Sequence, residues 1–210
     1  MANALAPKAK NAFVQNPLQD LLEQSAAYPQ YNDLMSFLSA RNAVPQVNQR
    51  NMSGGEFVTQ LGVPNNGVIN LQPSSLPRDL THELTHAADR QIRHLYSELN
   101  KHRYYFTKDR DLTPEENQFL FAYDKMVYGN AKDKREEFLN KLAPEWAKKE
   151  SRYRSAPNEA AAYGFSSQVG SNQAYHPAPL HVDPTMGTEF SILLDLAQRA
   201  QLAQAKTGKK

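Results

Sequence analysis

Leu80-Thr81-His82-Glu83-Leu84-Thr85-His86-Ala87-Ala88-Asp89 carries the pattern H-E-x-x-H. On an α-helix, positions four apart share a face about one turn apart. His82 and His86 can therefore offer two imidazole nitrogens to a single metal ion. Glu83 lies roughly 100° round the helix from His82, beside the ion rather than on it. A carboxylate placed there can take a proton from an activated water. Two neutral imidazoles and a carboxylate with an open fourth position are the donor pattern of catalytic zinc, so one Zn²⁺ ion is the expected cofactor.

The flanks of the motif predict a helix from about Pro77 to His102. Ser74 and Ser75 are candidate N-caps, and Pro77 falls in the first turn, where a missing N–H costs little. Leu76, Leu80, Leu84, Ala87 and Ala88 recur at three- and four-residue intervals, and Ile92, Leu95, Tyr96 and Leu99 continue the stripe. The apolar stripe seats the helix, and the two histidines project from it. A merely solvated His/Glu face is the alternative, but the whole chain holds only 6 histidines.

Working outward toward the N-terminus, Val68-Ile69-Asn70-Leu71 pairs with Glu56 to Leu61 as a hairpin around the Pro/Asn/Gly-rich segment that ends at Gly67. Val68, Ile69, Asn70 and Leu71 are the candidate edge for binding an extended substrate by strand addition, the alternative being an ordinary covering hairpin. Residues 45–55 read as a polar loop. Pro17 to Ala27 and Asp33 to Arg41 read as short amphipathic helices split by Tyr28-Pro29-Gln30-Tyr31, and residues 1–16 as an arm. Toward the C-terminus, Thr113-Pro114-Glu115-Glu116 is a capping-box helix start, with Phe119, Leu120, Tyr123, Met126 and Val127 as its buried face and Gly129 as its stop. A charged helix over 132–142 and a short segment with Trp146 follow. The last helix is expected from Thr188 to Ala205, burying Phe190, Leu193, Leu194, Leu196, Ala197 and Ala200.

A catalytic zinc needs a third protein ligand, and with no cysteine the choice is among His, Glu and Asp. Glu159 is the leading candidate. It lies in Ser155-Ala156-Pro157-Asn158-Glu159-Ala160-Ala161-Ala162-Tyr163-Gly164, a helix whose alanines permit close packing and where an unpaired carboxylate would be costly. His176, His181 and Asp183, on a loop stiffened by three prolines, are the fallback ligands. Tyr163, His176, His181 and Tyr153 are candidate oxyanion donors.

These two segments carry a resemblance. His82-Glu83-Leu84-Thr85-His86-Ala87 resembles the signature of thermolysin-like gluzincins, and Asn158-Glu159-Ala160 resembles their second, glutamate-bearing motif. The resemblance covers these two helices. It implies His82, His86 and Glu159 as zinc ligands, Glu83 as general base, and amide hydrolysis as the reaction. Two departures stand out. His86 and Glu159 are 73 residues apart, a wide interval. The family also places an Asp one turn after the glutamate ligand to orient a zinc histidine, and here that position is Tyr163. Asp89, three residues after His86, is the candidate substitute, with Asn158 beside the ligand helix.

Composition bounds the rest. The 210 residues suit one domain, over 17–205, between the arm and a basic tail over 206–210. The formal charge of +2 gives no reason to expect nucleic acid as a partner. No apolar run approaches the roughly 20 residues of a membrane span, and the first residues lack the apolar core of a secretory signal. The expectation is an α+β, mainly α, minimal zincin-like domain with a small β-hairpin or sheet before the H-E-x-x-H helix. It would be a zinc metallopeptidase acting on a peptide, a protein or peptidoglycan, cytoplasmic or virion-associated. The rivals are a non-catalytic zincin-like structural protein, for example a bacteriophage virion component assembling through the N-terminal arm, and a metal-binding intracellular toxin or regulator.

Overall fold

The computed structural model describes residues 17–59, 67–103, 110–128, 157–169 and 184–207. In chain order these form α1 (Pro17–Ser25), α2 (Pro29–Ala40), β1 (Gln46–Gln49), β2 (Gly55–Thr59), β3 (Gly67–Leu71), α3 (Pro77–Asn100) with a 3₁₀ turn at Lys101–Arg103, α4 (Pro114–Tyr128), α5 (Pro157–Ser166) and α6 (Pro184–Thr207). The fold is α+β and mainly helical, as the periodicity implies, with one small sheet.

The motif helix α3 is the axis. Leu80, Leu84, Ala87, Ala88, Ile92, Leu95 and Leu99 are all buried. Their apolar stripe packs against α1, α2, α4, α5 and α6 and against β2 and β3. Its N-terminus is capped differently from the expectation on Ser74 and Ser75. Leu76 occupies the cap position in extended backbone, and its N–H donates to Asp79 Oδ2 at 2.9 Å. An acidic residue in the first turn also complements the helix dipole.

The sheet order is β1-β3-β2. β2 and β3 form the expected antiparallel hairpin, with Phe57 opposite Ile69. β1 is a correction. Its Gln-Val-Asn-Gln sequence reads as loop, yet it runs parallel to β3, with Val47 opposite Ile69. A pairing partner some 20 residues away supplies what local propensity does not. The same pairing overturns the expected role of Val68, Ile69, Asn70 and Leu71. β3 is hydrogen-bonded on both sides, so it has no free edge for strand addition, and its Ile69 and Leu71 are wholly buried.

The remaining helices hold the site in place. α2 begins at Pro29, inside the segment expected to split two helices, because a proline is well suited to the first helical position. α4 starts as expected. Thr113 N–H donates to Glu116 Oε2 at 2.8 Å, and Glu116 N–H donates back to Thr113 Oγ1 at 3.3 Å. The Arg110 guanidinium adds a hydrogen bond of 2.7 Å to the buried Glu116. α6 begins at Pro184 rather than Thr188, and it buries Phe190, Leu193, Leu194, Ala197 and Ala200. Expectations for residues 1–16, the hairpin turn, Gly129, the 132–149 segments and the tail beyond 207 lie outside the described residues.

Helix α5 wedges between α3 and α6. Ala161, Ala162 and Phe165 are buried there, and Phe165 meets Phe190 edge-on with ring centroids 5.4 Å apart. The closest approach is at Gly187, where a Cβ would come within 2.4 Å of the Gly164 carbonyl oxygen. The obstructing atom is backbone, so side-chain repacking cannot relieve it. Gly187→Ala is therefore expected to destabilise the protein by about 1–3 kcal/mol, read as a lowered midpoint in denaturant. Gly54→Ala would meet open space and should show only the backbone penalty of its positive φ.

Candidate metal centre

The site forms where two helices meet beside the sheet. Thr81 and Thr85 donate their buried hydroxyls to the carbonyls of Pro77 and Thr81, each at 2.8 Å, so the helix satisfies its own polar groups on the packed side. On the cleft side, His82 and His86 sit four residues apart with Nε2 atoms 3.1 Å from one another. Their rings are nearly perpendicular, at 83°, which aims both nitrogens at a common point.

Glu159 reaches that point from the first turn of α5. Its Oε2 lies 3.6 Å from His82 Nε2, and its Oε1 lies 3.6 Å from His86 Nε2. The carboxyl is buried, and among the described residues its Oε2 has no hydrogen-bond partner. His82, His86 and Glu159 thus form a group that can hold a metal ion, with ligand atoms all within 4.8 Å of one another. Donors in a tetrahedral zinc shell at ordinary bond lengths stand about 3.3 Å apart. The imidazole nitrogens stand 3.1 Å apart and each is 3.6 Å from a different Glu159 oxygen, near that value, and a cation between these atoms would satisfy the orphaned oxygen.

The electrostatics agree. Burial alone would raise the Glu159 pKa, but the two facing imidazoles outweigh it and hold the carboxyl well below its ordinary range. Burial alone would depress His86, but Glu159, Glu83 and Asp89 outweigh it and hold the imidazole above its ordinary value. Glu83 behaves oppositely to Glu159. Burial pushes its carboxyl up, only partly countered by His82 and His86. It is 7% exposed, and strand β2 lies directly against it. A Cβ at Gly55 would meet Glu83 Oε1 at 3.0 Å and the Leu71 side chain at 2.9 Å. Only a residue without a side chain lets the strand approach this closely.

These groups open into a cleft of about 660 Å³, walled by β2, by the α3 face from Arg78 to Arg93, and by Glu159, Tyr163 and Ser166 of α5. Tyr163 packs its ring on His82, with centroids 4.4 Å apart and planes at 54°. At the position where the resemblance implies an aspartate, an aromatic ring thus packs against the histidine. Asp89 lines the cleft and contributes charge to His86, but its hydrogen bond goes to Arg93. The expectation that it orients His86 by hydrogen bonding is therefore corrected. Asn158 lies in the first turn of α5, with its side chain outside the described residues. Tyr153, His176, His181 and Asp183 lie outside the described residues altogether. Among the cleft residues that sequence reasoning missed are Gly55 and Phe57, which reach the site through non-local pairing, and Arg78 and Arg90. The arginines did have a signal: each lies four residues from a motif histidine, on the same helical face.

The linked titrations fix the pH behaviour of the metal-free chain. Glu159's depressed pKa gives stability that is present above the ordinary carboxylate range and lost as pH falls through the folded value. His86's raised pKa gives stability that is full below the ordinary histidine value, ~6.5, and lost as pH rises through the folded one. Chelator-treated protein should therefore be most stable in mildly acidic solution, between those limits. Thermal unfolding across pH checks this, and Glu159→Gln should weaken both limbs, leaving the part of the acid limb carried by Glu116 and Asp124.

Comparison with protein-family models, with curated proteins and with solved structures gives no match, so the chemistry of this cleft is read from its own residues.

Proposed function

We propose that this chain is a zinc-dependent metallopeptidase of gluzincin type that hydrolyses amide bonds in a peptide, a protein or peptidoglycan. The observation that carries the reading is the convergence of the Glu159 carboxylate on the two imidazoles of H-E-x-x-H, with Glu83 buried alongside and outside the ligand triangle. His82, His86 and Glu159 would hold the ion at the wall of the cleft. When bound, zinc supplies a Lewis acid that polarises a carbonyl and acidifies water.

The protein's own groups do the rest. Glu83, made more basic by burial, accepts a proton from the attacking water and returns it to the leaving amine. Of the candidate oxyanion donors read from the sequence, Tyr163 is the one among the described residues, and it lines the cleft. Strand β2 and helix α3 form the two long walls between which an extended substrate can lie. A non-catalytic centre, such as one in a virion structural protein, draws support from the way Glu159 ties α5 to α3. Closed structural sites use four protein ligands, however, whereas the three donors found among the described residues, facing a cleft, fit a catalytic one.

Metal analysis with activity assays separates these readings. Wild type and Glu83→Gln should both carry near-stoichiometric zinc, and Glu159→Ala should lose it. Glu83→Gln should cut cleavage of a casein or peptide-library substrate by about 10²–10⁴-fold without lowering the unfolding temperature. Retained cleavage in that variant would overturn the mechanism. Absent cleavage in a zinc-loaded wild type, together with a lowered unfolding temperature on chelation, would favour the structural role.

A further inference from the structure

Arg90 lies on the same face of α3 as the motif histidines, one turn beyond His86, or about 6 Å along the axis. It is half-buried and lines the cleft. The neighbouring charges are committed elsewhere. Asp89 is paired with Arg93, Asp79 accepts the Leu76 N–H, Glu56 accepts from Asn70 at 2.8 Å, and Arg78 is already partnered. Among the described residues, Arg90 has no carboxylate partner. Lining the cleft, its guanidinium offers a planar fork of donors suited to bidentate hydrogen bonding with a carboxylate.

We propose that Arg90 is a specificity-determining residue that binds a carboxylate of the substrate, so that the cleft selects acidic peptides. This rests on the peptidase reading of the cleft. An extended chain advances about 3.3 Å per residue, so an anion held by Arg90 lies within about two residues of the bond at the metal. The same chemistry is offered by an Asp or Glu side chain and by a free C-terminal carboxylate. A neutral side chain in that place leaves the guanidinium unsatisfied, which is how a site built for hydrogen bonding rejects a near-isostere.

The test uses the full-length, zinc-loaded Glu83→Gln protein, so that bound peptides are not consumed. Blocked alanine peptides carrying a single Glu at successive positions are titrated by calorimetry beside their Gln counterparts. A second arm compares free with amidated C-termini. One placement of the carboxylate should bind at least about tenfold more tightly than its neutral partner. Adding Arg90→Gln should bring that ratio to near one, and adding Arg90→Lys should restore part of it. The arm that gives the preference identifies the carboxylate's source. Equal binding of acidic and neutral peptides, or a preference that survives Arg90→Gln, overturns the proposal. Failure of wild type to cleave any peptide would count against the peptidase reading alone, because the binding ratio is measured without turnover.

Discussion

A buried carboxylate facing two imidazoles is the constraint around which this molecule is arranged. Glu159 is held ionised in a largely water-free position, and an isolated charge there would be prohibitive. Among the described residues its compensation comes from His82 and His86 of α3, the nearer of them 73 residues earlier in the chain. The packing of α5 must therefore be accurate enough to keep both oxygens facing both nitrogens at 3.6 Å. Alanines 161 and 162, the Gly164–Gly187 crossing and the Phe165–Phe190 pair provide that accuracy. They contribute no chemistry of their own. They fix a distance.

What was legible in the sequence follows from how local each signal is. The α3 stripe, the capping box at Thr113 and Glu116, and the β2–β3 hairpin are all written within a few residues of themselves, and each stands where the pattern puts it. Glu159 could also be singled out, since an alanine-rich helix carrying one acid needs a reason for that acid. β1 was not legible, because Gln46–Gln49 becomes a strand only through pairing with β3. That one non-local contact also changes which strand is exposed. With β1 on one side and β2 on the other, Val68–Leu71 becomes the sheet's centre and β2 its edge toward the cleft. Tyr163 on His82 was similarly hidden, since spacing marks the position but does not say whether it will accept a hydrogen bond or pack as a ring.

The two glutamates at the site illustrate how one environment assigns two roles. Both are buried, so desolvation pushes both pKa values up. Glu159 faces the histidine nitrogens squarely and stays ionised, which suits a ligand. Glu83 starts from the same helix as the histidines, so its side chain leaves in a different direction and meets the backbone of β2 instead. There the imidazoles only partly offset burial, and its carboxyl is held above its ordinary value. A group in that state takes up a proton more readily than a ligand carboxylate would, which is the behaviour required of a general base.

The role of Gly55 follows from that division. In the proposed mechanism Glu83 must stay off the metal position while remaining close to it, and the wall that confines it is β2. A side chain at position 55 would push either the strand or the carboxylate, since both Glu83 and Leu71 already stand at contact distance. Moving the strand would widen the cleft on its substrate side. Moving the carboxylate would take it from the position it holds in the proposed mechanism. Neither displacement leaves a centre with three protein donors, an open coordination position and a separate base. The missing side chain on β2 is thus as much a requirement of the proposed chemistry as the motif on α3.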